Sequence, residues 1–511
     1  MRRARIGKSW LWPAFCRHSR TVPALQGTIA VNTYPRGSKR AEAPGRGGNL
    51  GTETVHTVLA ALALFQHELL VFAAFWLALG ALDEGAMDLL WLGLVATGRT
   101  RSQPLARAPE SPLRGVAAVL VPAWQEQEVV GAMLRHCLDS WPHAELRIYA
   151  GCYRNDTATL RAMMAAAGDP RLRIVVHDCD GPTTKADCLN RLYDALRMDE
   201  ARGGFRARSV VLHDAEDLVH PAALSELDAA LDHAEFVQLP VLPEPQAGSR
   251  WVAGHYADEF AEAHGKTMVV RDWLGAGLPG AGVGCAFSRE AIEGIAARRG
   301  AGHPFAPDSL TEDYEFGLLI AESGGRERFL RVRDTEGALV ATREFFPSTI
   351  EAATRQKTRW LIGIAFQGWE RLGWQLRPAE LWMRLRDRRG PLTAVVLAAA
   401  YLLVVLWPVL YLARRAGLVT PLRPSAALAA LLAFNFVALG WRMAMRFAFT
   451  AHAYGWAEGA RALLRMPVSN VIAIIVGRRA ITTYLRSLLG VELHWDKTAH
   501  RLHPALPGLV A

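Results

Sequence analysis

Apolar residues fall into three blocks along the 511 residues of the chain. Thr57 to Leu82 is apolar apart from Gln66, His67 and Glu68. At a rise of about 1.5 Å per residue it is long enough to cross about 30 Å of hydrocarbon. Ala86 to Val95 is too short to cross, and is expected in the interface or against a soluble domain. Leu392 to Ala413 carries no charge and lies between Arg388-Arg389 and Arg414-Arg415. Ala426 to Gly440 reads as a further span that extends past Arg442 if that side chain snorkels. Val468 to Val476, bounded by Pro467 and Arg478-Arg479, is short enough to be re-entrant or interfacial. Three or four spans follow, and arginines flank them on both sides, so charge does not set orientation.

Between these regions the period changes. Short β-rich runs (Val116 to Val121, Leu146 to Ala150, Arg173 to His177, Ser209 to His213, Phe236 to Leu239) alternate with stretches at helical spacing (Glu126 to Ser140, Thr157 to Ala167, Lys185 to Arg197, Pro221 to His233). This predicts an α/β domain with a mostly parallel central sheet and ligands at the strands' C-terminal ends, inserted between N-terminal and C-terminal transmembrane helices. The expected boundaries are a basic segment at 1–50, a transmembrane and an interface helix at 57–97, the α/β domain at 110–374, a basic interface segment at 375–391, membrane and interface helices at 392–500, and a tail at 501–511.

The hydrophobic content of 51% suits a chain partly in lipid. The formal charge of +9 is confined to the first fifty residues, which hold ten Lys/Arg and one Glu, 10 − 1 = +9. The rest is neutral overall, so no basic patch argues for a nucleic-acid partner. Pro and Gly without apolar periodicity make residues 1–50 read as disordered, and no cleavable signal is recognised there. The cysteines at 16, 137, 152, 179, 188 and 285 form no Cys-x-x-Cys pair, which fits reduced thiols in a cytoplasmic domain.

Three elements carry candidate chemistry. Ser209 to His213 runs into Asp214-Ala215-Glu216-Asp217, three carboxylates at the end of a buried strand. That cluster suits Mg²⁺ or Mn²⁺, which would also neutralise a diphosphate leaving group, although a solvated loop opening the next helix would look the same. Thr311-Glu312-Asp313 precedes an apolar stretch. It is either an ordinary helix start or the place where Asp313 takes a proton from an attacking hydroxyl. In Gln356-Lys357-Thr358-Arg359-Trp360, the Gln, Arg and Trp share one helical face, offering a phosphate fork and a flat surface for a sugar, or else a membrane-interface anchor.

Together, in order and spacing, these elements resemble the Asp-x-Asp, Thr-Glu-Asp and Gln-x-x-Arg-Trp motifs of processive family 2 glycosyltransferases. The resemblance implies a GT-A-type nucleotide-sugar-binding domain, with metal at Asp214 and Glu216 or Asp217, and catalysis at Asp313 beside Glu312. It implies nucleotide contacts at Pro122, Ala123, Glu126, Asn155, Asp156 and Lys185, and donor or acceptor sugar contacts at Gly282, Gly284, Gln356, Arg359 and Trp360. Glu216 stands where the general motif has its second Asp.

His213 to Pro221, Tyr153 to Asp156 and Trp495 to His500 are similar to the bacteriophage adsorption protein B subgroup. That implies an inner-membrane enzyme with a cytoplasmic catalytic domain, a UDP-sugar donor, a glycan acceptor in a cell-envelope exopolysaccharide of N-acetylhexosamine type, and an outer-membrane export partner. Longer members of the subgroup continue into a domain that binds cyclic di-GMP; the chain stops soon after His500, so such control is not expected. The rival readings are a membrane scaffold or phage-receptor assembly component with vestigial catalysis, and a single-sugar transferase acting on a lipid carrier.

Overall fold

Val116 to Pro122 is apolar at odd and even positions alike, so a strand made from it needs cover on both faces. In the computed structural model, which describes residues 49–300, 302–420, 423–491 and 503–505, it lies inside a seven-stranded sheet. The strands are β1 (Val116–Pro122), β2 (Leu146–Tyr153), β3 (Leu172–His177), β4 (Ala207–Leu212), β5 (Phe236–Gln238), β6 (Cys285–Ser288) and β7 (Glu327–Phe329). Their order is β3-β2-β1-β4-β6-β5-β7. Only β6 runs antiparallel to its neighbours β4 and β5. The expected α/β class with a mostly parallel sheet is therefore met. The basic segment up to residue 48, with Cys16, and the Trp495 to His500 motif lie outside the described residues.

Side-chain alternation splits the core. Ala117, Val119 and Val121 pack on one face with Ile148, Val130 and Leu134. Ala118 and Leu120 pack on the other with Tyr149, Leu189, Val210 and Phe287. The strands expected from sequence are present with ends shifted by a few residues, because backbone pairing extends past the apolar run: β2 continues to Tyr153 against β3. The five cysteines among the described residues are unbridged.

Among the described residues, four helices are long and apolar enough to cross a membrane, by length and composition. They belong to α1 (Asn49–Ala96), and to three helices after the sheet domain, Gly390–Arg415, Ala426–Tyr454 and Trp456–Leu488. The short run Ala86 to Val95 is part of α1, and its Met87 and Leu94 pack on Val270 and Met383 of the sheet domain. Pro467, expected as a boundary, lies inside the helix Trp456–Leu488.

Two belts of polar contacts tie these helices together. Arg414 donates to Gln66 at 3.0 Å. Toward the sheet domain, Asp83 and Glu84 meet Arg386 and Arg389, and Arg442 reaches Glu84 at 3.3 Å. The last helix differs, for it touches the sheet domain along its length. Arg465 pairs with Asp258 at 2.8 Å, Arg479 donates to Thr354 at 3.4 Å, and Tyr484 donates to Glu370 at 2.5 Å.

Candidate active site

The buried strand β4 delivers the acidic turn to the edge of a cavity at the C-terminal ends of β1, β2 and β4. Asp214 and Glu216 line that cavity, and Asp217 does not. Asp217 is fully buried, and its Oδ2 accepts from His213 Nδ1 at 2.5 Å and from the Asp214 amide at 3.1 Å. Burial drives the His213 pKa down to about 4, so the ring is neutral and its Nδ1–H donates. Asp217 thus shapes the turn, while its neighbours face the cavity.

Lys185 opens the helix α2 (Lys185–Gly203), whose N-cap Thr184 accepts from the Asp187 amide. A cation there opposes the helix dipole. It is held because Lys185 Nζ lies 2.6 Å from Asp214 Oδ1. Burial works against its charge, but Asp214, Glu312 and Asp313 more than offset this and keep its pKa well above the ordinary lysine range.

Glu312 and Asp313 begin the helix α3 (Glu312–Glu322), a favourable place for acids beside the positive helix end. Thr311 supplies no side-chain cap. Asp313 lines the cavity and Glu312 sits buried behind it. Both carboxyls are pushed above the ordinary range, first by burial and, for Glu312, next by the Asp313 charge. The glycine loop packs on this acid. Gly282 has φ +77°, and a Cβ there would run into Asp313 Oδ2 and lie 3.2 Å from Lys185 Nζ. Gly284 faces Thr342 rather than the cavity.

The helix α4 (Ile350–Leu361), capped by Thr349, brings Gln356, Arg359 and Trp360 to the same cavity on one face. Trp360 is braced edge-on by Tyr256 and Phe346, with centroids 6.2 and 6.4 Å away.

Pro122, Ala123, Glu126 and Lys185 line the cavity, whereas Asn155 and Asp156 stand outside it. Asn155 clasps Gly181 through two hydrogen bonds of 2.9 Å. Asp156 caps the helix Thr157–Met164 and accepts from the Gln125 amide at 2.5 Å, holding Gln125 in a left-handed conformation at φ 53°. Their placement is that of supports for the loop after β1.

Several lining residues escaped the sequence reading. Trp124 and Tyr153 form an aromatic wall with centroids 5.3 Å apart. Glu344 ends a three-residue strand, Thr342–Glu344, that pairs with Val241–Pro243 and is too short to show a period, and Phe346 follows it by two residues. The signal available was the aromatic and acidic content of Glu344-Phe345-Phe346 just ahead of the Gln-Arg-Trp helix.

The family model described as "Glycosyltransferase like family 2" matches residues 114–363. Bacteriophage adsorption protein B of Escherichia coli (strain K12) is 33% identical over 429 residues, covering 79% of this chain and 56% of the relative. Bacteriophage N4 adsorption protein B of Escherichia coli O157:H7 matches to the same extent. The chain thus spans about half the length of the curated relatives it matches. Among solved structures, a mannosyltransferase from Pyrobaculum calidifontis in complex with GDP-Man and Mn²⁺ aligns over 81% of this chain and 99% of its own, at 19% identity and TM-score 0.46.

Proposed function

Residues 114–363 are a domain of glycosyltransferase family 2, and from that premise we propose that the chain is an inverting membrane enzyme moving a sugar from a UDP-sugar to a growing cell-envelope glycan. The observation that carries this is the convergence of Asp214, Glu216, Lys185, Asp313 and the Gln356-Arg359-Trp360 face on one cavity. The aromatic pair Trp124 and Tyr153 offers a wall for the donor's base, and Trp360 a platform for a sugar. An envelope product of N-acetylhexosamine type and an outer-membrane export partner are part of this reading, and the likeness to bacteriophage adsorption proteins fits a role at the cell envelope.

Asp313 takes the proton of the acceptor hydroxyl as that oxygen bonds to the anomeric carbon. The bond from sugar to phosphate breaks, and its electron pair leaves on UDP, which inverts the configuration. Arg359 and Lys185 face the charge that develops on the diphosphate. No three described His, Cys, Asp or Glu residues form a metal cage. Two cavity-lining carboxylates, Asp214 and Glu216, suit a cation that also takes donor phosphate oxygens, as Mg²⁺ or Mn²⁺ does. Held there, such an ion would supply charge neutralisation of the leaving diphosphate.

Three spans suit the contacts. From Gln66, at one polar belt, to Glu84, at the other, α1 rises about 27 Å, close to the hydrocarbon thickness. The polar trio Gln66-His67-Glu68 then lies at the far face, not mid-membrane. Gly390–Arg415 and Ala426–Tyr454 cross outward and back, and the helix Trp456–Leu488 packs both on the sheet domain and on Gly390–Arg415, where Asn470 donates to Tyr401 at 3.3 Å. His503, buried against Asp217, supports the catalytic side, in the cytoplasm, for residues 503–505.

The purified full chain, given isotope-labelled UDP-sugars and Mn²⁺, is expected to release UDP and form a labelled product whose mass separates a polymer from a single lipid-linked sugar. No UDP release from any donor would sink the proposal.

A further inference from the structure

The edge of the sheet carries a second cavity. It has a volume of about 320 Å³ and shares no lining residue with the catalytic cavity. Its walls are the end of α1 with the loop 99–103 after it, the helix Met268–Trp273, and the edge strand β7 continued to Arg331. The loop is held against that strand, for the Gln103 amide donates to the Arg331 carbonyl at 2.9 Å and Gln103-Pro104 pairs with Val332-Arg333. Four arginines, Arg99, Arg101, Arg328 and Arg331, line the cavity against two acids, Asp272 and Glu327.

Both acids are already committed. Asp272 Oδ1 accepts from the Phe329 amide at 3.2 Å and lies 3.6 Å from Arg328. Glu327 Oε2 accepts from the Leu278 amide at 2.5 Å, and burial pushes its carboxyl well above the ordinary range, which favours the neutral acid. Among the described residues no carboxylate pairs with Arg99, Arg101 or Arg331. Arg331 is half-buried, and its Nε is shut off from solvent without a hydrogen-bond partner. Burial and the like charge of Arg333 lower its pKa, yet a guanidinium stays charged across the physiological range. A cation withdrawn from water without a counterion costs stability, and an anion in the cavity would offset that cost.

We propose that this cavity binds a phosphate-bearing small molecule, with its phosphate on Arg331, Arg99 and Arg101, at a site separate from glycosyl transfer. The planar fork of a guanidinium matches two phosphate oxygens at once. The volume falls at the lower end of the range of about 300–1,000 Å³ usual for small-molecule sites, so there is room for more than a bare phosphate. Trp273, 46% exposed among the lining residues, offers a flat apolar surface to the remainder. With Glu84 at the edge of the hydrocarbon, Leu94 lies about 15 Å further along α1, whereas headgroups extend only about 5–8 Å beyond the hydrocarbon. A soluble ligand is therefore expected rather than a lipid headgroup.

The test titrates the full chain, delipidated in detergent, with inorganic pyrophosphate by calorimetry, in EDTA to strip divalent ions from the catalytic acids. Arg331→Gln is expected to weaken binding about tenfold or more. Its UDP release, measured with Mn²⁺, should match wild type, and its ligand-free melting temperature should equal or exceed wild type, since an uncompensated cation has gone. Arg359→Gln, in the catalytic cavity, is expected within about twofold of wild-type pyrophosphate affinity. In a second arm, native mass spectrometry counts phosphatidylglycerol molecules bound to the same proteins. Pyrophosphate binding that depends on Arg331 supports the site with a soluble ligand. Phosphatidylglycerol binding that depends on Arg331, without pyrophosphate binding, supports it with a lipid headgroup. Dependence of neither on Arg331 overturns the proposal, as does an equal loss of pyrophosphate binding in Arg359→Gln. Should Arg331→Gln fail to accumulate, the double variant Arg99→Gln, Arg101→Gln carries the same two arms: a loss of about threefold or more in either supports the proposal, and wild-type binding in both overturns it.

Discussion

Two clusters of acids, both inside the protein, hold their carboxyls with opposite shifts in pKa. Near the junction of α1 with the sheet domain, Asp83, Glu84, Asp88 and Glu262 are met by Lys266, Arg386, Arg389, Arg442 and Arg446, with Lys266 2.5 Å from Asp88 and 2.8 Å from Glu262. In the cavity, Asp214, Glu216, Glu312 and Asp313 face Lys185 and Arg359. The consequence shows in the carboxyls. Burial works against the charge of Glu262, yet Arg442, Arg446 and Lys266 hold its pKa below the ordinary range. Burial wins at Glu312 and Asp313, whose pKa values lie above it. An acid cluster with enough fixed cations is an anchor. One in which burial raises the carboxyls keeps a group able to take a proton, which is what glycosyl transfer from a nucleotide diphosphate asks for.

The largest effect expected from breaking this contrast is on stability at the anchor. Lys266→Ala leaves Asp88 and Glu262 buried without their shared cation, and should cost about 3–5 kcal/mol, seen as a lower melting temperature with poor recovery of folded protein. Matching recovery and melting would show that the arginines alone suffice. At the cavity, Gly282→Ala drives a methyl into the Asp313 carboxylate at a positive φ. A displaced base should lower turnover about a hundredfold, with little change in melting temperature; unchanged turnover would show that the loop yields freely.

The smallest effect expected is on pH dependence. Asp313 must be ionised to accept a proton, so UDP release should rise with pH through a midpoint above the ordinary aspartate value of about 3.9. Stability runs the other way. A carboxyl whose folded pKa is raised binds its proton more readily in the folded state, so stability is greater below the folded pKa and declines as pH rises through the window between the unfolded and folded values. Rate and melting temperature changing in the same direction across that window would contradict the raised values.

Much of this was legible in the sequence, for stated physical reasons. The two-sided apolar runs gave β1 and β4 because a buried parallel strand admits nothing else, and the i, i+3, i+4 spacing put Gln356, Arg359 and Trp360 on one face. What escaped were features decided by three-dimensional closure. Spacing alone left Glu216 and Asp217 equivalent, and it is the fold that ties Asp217 to His213 and the Asp214 amide, outside the cavity lining. Asn155 and Asp156 sat in the right loop but are consumed in holding it. Gln66 counted against a span until Arg414 placed it at a belt. Glu344 ends a strand too short to announce itself, Phe346 lies just beyond it, and nothing local connects His503 to Asp217.

The central claim is that the cavity cluster performs glycosyl transfer with Asp313 as base, and UDP release by purified wild-type protein and Asp313→Asn, with Mn²⁺ and the donor that the wild type accepts, tests it most directly. The account predicts a loss of about 10²- to 10⁴-fold with a melting temperature equal to or above wild type, since one buried carboxylate of raised pKa has gone. Unchanged release by Asp313→Asn would contradict it.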